Sequence, residues 1–303
     1  MQEISGVKNE ISPSDSIELD LGLESLKQME VVVVLEKEFG VKLPGDVAIT
    51  HVRDLLKHLP EVAGGMSVEK FSWRNILQQK REPSLEQMFN LKRGCIKNLF
   101  VEMVRFSIRI ILWLCYRVKI EKLSELDKHD GPVIIAANHQ SYLDPMIIYC
   151  YLSKKRLHQT AFVAFDAYFR SGILSLLVRP GRIIKTASSK TNISSLQYSA
   201  EAIEKGFSVC IFPEGQRASS GKLEKPMLGP GILSCEKQVP IYPLVINGAM
   251  NSYSRTTPGF HFTKITLELL DPIYPPKKEE YDENDYQNMV KTWSEKISPK
   301  IIS

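Results

Sequence analysis

Residues 131–150 read GPVIIAANHQSYLDPMIIYC. Val133 to Ala137 form an unbroken apolar run, too short for a helix and rich in β-branched residues, which is the mark of a strand buried on both faces. The run stops at Asn138, and a polar cluster extends to Asp144. Asp144 followed by Pro145 is the N-cap and first-turn pair that opens a helix. A buried strand, a polar turn and a helix in that order make one βα unit.

The same rhythm continues outward. PMIIYCYL, RIIKT (182–186), SSLQYSAEAIEKG (194–206), SVCIF (208–212), VPIYPLVI (239–246) and KITLELL (264–270) set short apolar runs beside helical patterns. Alternation of this kind predicts an α/β domain, a mostly parallel sheet covered by helices. In such sheets sites lie beyond the carboxyl ends of the strands. Two polar clusters fall there: NHQSYLD after the first strand and PEGQRASSG (213–221) after SVCIF.

Composition narrows the function. The net charge of +4 is too small for a nucleic-acid partner but compatible with an anionic membrane surface. The five cysteines are scattered without C-x-x-C spacing, so neither a disulfide framework nor a metal site is expected, and a reducing cytoplasm is. The first residues, MQEISGVKNE, lack the pattern of a signal peptide.

Asn138-His139 with Asp144, and Phe212-Pro213-Glu214-Gly215-Gln216-Arg217, resemble the N-H-x-x-x-x-D and F-P-E-G-x-R blocks of glycerolipid acyltransferases of the lysophosphatidic acid type. The resemblance spans most of residues 95–270 and implies transfer of a fatty acyl group from a thioester, on acyl carrier protein or coenzyme A, to a lysophospholipid. His139 suits the general base that takes the acceptor's hydroxyl proton, since an imidazole titrates near ~6.5. Asp144 would hold the ring and stabilise the imidazolium, besides capping its helix. The resemblance implies that Glu214, Gly215 and Arg217 bind the acceptor's polar head group, Arg217 taking its phosphate and Glu214 its glycerol hydroxyls. The family's middle arginine has no direct counterpart, which leaves Lys185 or Arg182 in its place. No G-x-S-x-G elbow occurs, so direct transfer is expected rather than a serine-bound intermediate. A thioesterase would differ only in using water as acceptor.

The amino-terminal part has another character. Residues 21–44, LGLESLKQMEVVVVLEKEFGVKLP, present Met29, Val32, Val33 and Phe39 at helical spacing between Ser25 and Gly40. Thr50 is placed to cap a second amphipathic segment, HVRDLLKHL. Ser25 suffices as an N-cap. The run also resembles the second half of an acyl carrier protein, whose helix-start serine carries phosphopantetheine, and this implies attachment at Ser25. The family's long first helix has no counterpart, because the residues before Leu21 contain Pro13 and no helical period. The expected division is a small all-α carrier-like module over residues 1–62, a Pro/Gly linker over 63–83 and the acyltransferase domain over 84–303. From another class, the chain could be an inactive acyl-binding or membrane-docking tail of a larger acyl-activating enzyme.

Between the two parts lies IKNLFVEMVRFSIRIILWLCYRVKI (96–120), the most apolar segment. Glu102, Arg105, Arg109 and Arg117 interrupt it, so it falls short of the roughly 20 apolar residues of a membrane span. With Phe106, Ile110, Trp113 and Leu114 on other faces, it reads as a helix lying in a bilayer interface with its arginines at the surface. The protein is therefore expected to be cytoplasmic, bound peripherally to the inner face of the cell membrane.

Overall fold

The computed structural model describes residues 11–12, 14–17, 21, 23, 28, 31–35, 50–56, 72–79, 84–85, 89, 95–165, 182–186, 193–218, 221–254 and 261–301. Ser25, Gly40 and Gly64-Gly65 lie outside them, so the expectations placed on those residues have no structural counterpart here.

Among the described residues seven strands form one sheet: β1 (Lys119–Glu121), β2 (Ile134–Ala137), β3 (Thr160–Phe165), β4 (Arg182–Thr186), β5 (Ser208–Ile211), β6 (Ile241–Asn247) and β7 (Thr266–Leu269), in the order β1-β7-β6-β2-β5-β3-β4. Every neighbouring pair is parallel except β6 with β7. The expected mostly parallel sheet is thus present. β2 lies near its centre, with Ile134 opposite Val209 on one side and Ile241 on the other. All four of its residues are buried, as its unbroken apolar run required.

Helices cover both faces. The described ones are α1 (Val52–Leu56), α2 (Trp73–Leu77), α3 (Cys95–Tyr116), α4 (Asp144–Tyr151), α5 (Lys154–His158), α6 (Ile193–Glu204), α7 (Gly229–Lys237) and α8 (Glu283–Ile297). Successive strand residues point to opposite faces. Accordingly Ile134 and Ala136 join Leu196, Leu233 and Trp293 of α6, α7 and α8, while Ile135 and Ala137 join Leu112 and Ile147 of α3 and α4. A separate small core gathers Ile17, Leu21, Leu23, Val31, Val52 and Leu55 near the amino terminus. At the start of α1 the cap runs opposite to expectation: Asp54 accepts from the backbone of His51 and from the Thr50 hydroxyl, so Thr50 donates.

The largest correction concerns α3. Its arginines do not face a membrane surface. Arg105 is 1% exposed; it donates to Glu102 at 2.8 Å and to the carbonyls of Cys150 and Leu152, and Arg109 donates to the carbonyl of Cys150. Those carbonyls close α4, where helix geometry leaves oxygens without partners and cations are favoured. The arginines therefore face inward and rivet α3 to α4. Leu99, Met103, Phe106, Ile110, Ile111, Trp113 and Leu114 are exposed instead, five of them more than 60%. Among the described residues no helix is long and apolar enough to cross a membrane.

Candidate active site

β2 delivers the chain to the carboxyl end of the sheet at Asn138. There the Asn138 side chain continues the ladder, its amide donating to the carbonyl of Ile246 at 2.9 Å and its oxygen accepting from the Ile246 N–H at 2.7 Å. A side chain that satisfies both groups of a β6 residue lets the main chain leave the sheet while remaining anchored to it. His139 follows immediately.

His139 and Asp144 meet. The imidazole Nδ1 lies 2.9 Å from Asp144 Oδ2, and the same oxygen accepts from the backbone N–H groups of Gln140 and Ser141 at 2.6 and 2.7 Å. Asp144 is fully buried, whereas the His139 side chain keeps 14% exposure. The aspartate is the first residue of α4 rather than its N-cap, which is Leu143, and its carboxylate turns back over the loop instead of onto the helix amides. The anticipated capping role is thus replaced by one in shaping the turn that carries His139.

The second cluster reaches the same place from β5. Phe212 stacks on the imidazole, ring centroids 4.1 Å apart and planes at 24°. Glu214 is 5% exposed and accepts from the backbone N–H groups of His139 at 2.7 Å and Glu224 at 2.8 Å. Burial pushes its carboxyl up to about 7, against the pull of those two amides. Gly215 adopts φ +67°, a backbone conformation that favours glycine, with Met227 Sδ 2.5 Å from where a Cβ would stand. Half-buried Arg217 lays its guanidinium 3.7 Å above the Tyr142 ring, which packs beside Tyr253 at 4.8 Å.

The two candidates for the middle cation separate by position. Arg182 begins β4 and stacks over Phe207, which precedes β5, at the end of the sheet away from His139. Lys185 lies near the carboxyl end of β4, the end His139 occupies, three places from β2 in the sheet order. Ser25 is outside the described residues. Among them no group of three or more His, Cys, Asp or Glu could hold a metal ion.

Local sequence does not reveal the partners that come from afar. It marks Phe212 as structural, gives Asn138 no task of its own and leaves Tyr142 and Tyr253 undistinguished. The Tyr253 carbonyl accepts from the Ser141 hydroxyl across 112 residues, and nothing near either residue announces that pairing.

Residues 117–247 match the family model described as Acyltransferase, and residues 1–59 the model described as Phosphopantetheine attachment site. A chloroplastic 1-acyl-sn-glycerol-3-phosphate acyltransferase of Brassica napus is 27% identical over 55% of this chain and 48% of its own. Its Arabidopsis thaliana counterpart is 28% identical over 46% and 38%. An uncharacterised acyltransferase of Schizosaccharomyces pombe is 30% identical over 59% and 64%. The chain spans about half the length of the first two relatives or less. The crystal structure of a 1-acyl-sn-glycerophosphate acyltransferase from Thermotoga maritima, 21% identical, superposes with a TM-score of 0.54 over 72% of this chain and 88% of that one, which shows a shared fold.

The buried strand that ends in the His–Asp pair, and the second loop that closes over the histidine, lie within residues 117–247, the part of the chain that matches the Acyltransferase family model. Within that class the chain resembles the lysophosphatidic acid acyltransferases, with a carrier-like segment ahead of the domain.

Proposed function

We propose that this protein moves a fatty acyl group from a thioester, borne by acyl carrier protein or coenzyme A, to the free hydroxyl of a lysophospholipid such as lysophosphatidic acid, in phospholipid biosynthesis. The observation that carries the reading is the 2.9 Å contact of His139 Nδ1 with buried Asp144 at the carboxyl end of the central strand. Because Asp144 Oδ2 already accepts from two amides, it takes a proton donor at Nδ1 as well, which leaves Nε2 as the basic nitrogen.

The acceptor's hydroxyl gives its proton to Nε2 as its oxygen attacks the thioester carbonyl. Asp144 stabilises the resulting imidazolium. When the tetrahedral intermediate collapses, the carbon–sulfur bond breaks and the thiolate takes the proton back from Nε2. Arg217, whose face is held by Tyr142, offers its edge to the acceptor's phosphate. Lys185 stands at the same end of the sheet and is the second cation for that group.

Residues 1–62 act as the carrier-like module, with phosphopantetheine on Ser25, and residues 63–83 as the linker to the catalytic domain at 84–303. Tethering sets the local donor concentration at ~mM for a short flexible linker. The exposed side of α3 rests in the bilayer surface, so that the enzyme sits peripherally on the cytoplasmic face of the cell membrane. The test is transfer of labelled acyl groups to lysophosphatidic acid. His139→Ala should lower the rate by ~10²–10⁴ while the fold is retained. Ser25→Ala and Ser25→Asp should stop transfer of acyl groups loaded on the chain itself but not of those on added acyl coenzyme A. Absence of transfer by the unaltered protein from either donor would leave only the reading of an inactive acyl-binding tail, and release of free fatty acid alone would make it a thioesterase.

A further inference from the structure

We infer that Glu214 serves this reaction as a positioning residue for His139, acting through the main chain, and does not bond the acceptor. The inference rests on the proposed transfer reaction and changes the part that the family resemblance gives to this carboxylate.

The geometry around it is specific. Oε1 accepts from the N–H of His139 and Oε2 from the N–H of Glu224, so one carboxylate ties the loop after β2 to the segment leading into α7. On the other side of the same residue, the carbonyl of His139 accepts from Ala218 N–H at 2.8 Å. The loop that follows β5 thus grips both peptide groups of His139, while its Phe212 lies flat on the imidazole. Further bonds keep that loop rigid: Gly215 N–H donates to the carbonyl of Phe212, and Met227 N–H to that of Pro213 at 2.8 Å. Asp144 fixes Nδ1, and the loop fixes everything else that sets where Nε2 points.

Both partners of Glu214 are donors, so the site requires an acceptor oxygen for each of them. A carboxylate 5% exposed and engaged at each oxygen offers little to a glycerol, and turning it outward would take the acceptor from two part-buried N–H groups. Glutamine is the discriminating replacement. It has the same shape, but its amide nitrogen must confront one of the two N–H groups.

The experiment compares wild type, Glu214→Gln and Glu214→Asp, the last keeping the charge on a side chain too short to reach both amides. Measured with lysophosphatidic acid and acyl coenzyme A, either variant should lose kcat by about 10²-fold, the cost of a misplaced reacting group, with KM for the acceptor within about twofold. In parallel, the imidazole ¹⁵N resonances of His139 are followed against pH in the full chain. Their shifts or midpoint should move in both variants, a readout that does not need turnover. A rise in the acceptor's KM with kcat and the His139 resonances unchanged would overturn the inference and return Glu214 to substrate binding. If wild type transfers nothing while the resonances still move, the transfer reaction fails and the positioning role stands. Should the glutamine variant not fold, Glu214→Asp separates the same two roles by the same measurements.

Discussion

Helices α3 and α8 share one hydrophobic spacing and use it in opposite ways. In α8, Tyr286, Met289, Val290, Trp293 and Ile297 are buried while Gln287, Lys291 and Glu295 meet solvent, and a capping box of Asp282 and Asp285 opens the helix. In α3 the stripe Leu99, Met103, Phe106, Ile110 and Trp113 is exposed, and the inward side carries Arg105 with Leu112 and Tyr116. The periodicity tells which residues share a side but not which side turns inward. That is decided by the neighbour: α8 meets the apolar residues of the central strands, whereas α3 meets the unpaired carbonyls that end α4. A helix of 22 residues, about 33 Å long, thus presents its apolar stripe outward.

The widest gap should appear between matched tryptophans. Trp293→Ala removes a buried ring and its bond to the carbonyl of Ala136, and should cost about 3–5 kcal/mol in urea unfolding. Trp113→Ala, on the exposed stripe, should stay within about 0.5 kcal/mol. Equal losses would mean that the outer side of α3 is covered, and the contrast would collapse. Next in size is Arg105→Met, which takes the donors from the carbonyls of Cys150 and Leu152 and should destabilise by about 1–3 kcal/mol. Unchanged unfolding, together with weaker salt-sensitive attachment to anionic vesicles, would restore the surface position that the sequence pattern predicts for this arginine.

Phe106→Asp with Trp113→Asp should sharpen the comparison from the other side. Sedimentation with vesicles should fall about tenfold or more at any salt concentration, with stability in solution unaltered. The last effect depends on pH and belongs to the loop that follows β5. The carboxyl of Glu214 is raised from 4.5 to about 7 by burial, with the carboxylates of Glu224 and Asp144 pushing the same way and the backbone N–H groups of Glu224 and His139 pulling against it. A raised carboxyl binds its proton more tightly in the folded chain. Its contribution to stability is therefore complete below about 4.5 and fades as pH rises through about 7. Glu214→Gln should remove that slope from the stability profile, and an identical slope in the variant would assign it to another group.

Much of the sheet is legible in the sequence because each strand announces itself locally. β2, β4, β5, β6 and β7 are short apolar runs beside polar ends, and their helices follow at the expected distance. β3 and β1 escape that reading: TAFVAF follows α5 without a glycine or proline to mark its start, and Lys119 and Ile120 of β1 fall inside the segment 96–120 that reads as an interfacial helix, which instead ends at Tyr116. At the site, His139 and Asp144 are readable because five positions separate them and one turn brings them together. The bond from Glu214 to His139 spans 75 residues and exists only because β5 lies beside β2, a fact of strand order that no local pattern contains. The orientation of α3 is hidden for a similar reason, since its cause is the end of a helix some forty residues away.

The bond from Trp293 to Ala136 reaches across 157 residues. β2 is made first among the three central strands, yet its neighbours β5 and β6 and its anchor on α8 all come later. During synthesis the strand that leads into His139 therefore waits, an all-apolar ribbon with open hydrogen-bonding edges, until β5 and β6 have left the ribosome, and its anchor on α8 comes later still. Contacts so distant close slowly, and a bare edge of this kind can pair with the wrong chain in the interval. The geometry around His139 is thus withheld from the nascent polypeptide until those later strands arrive.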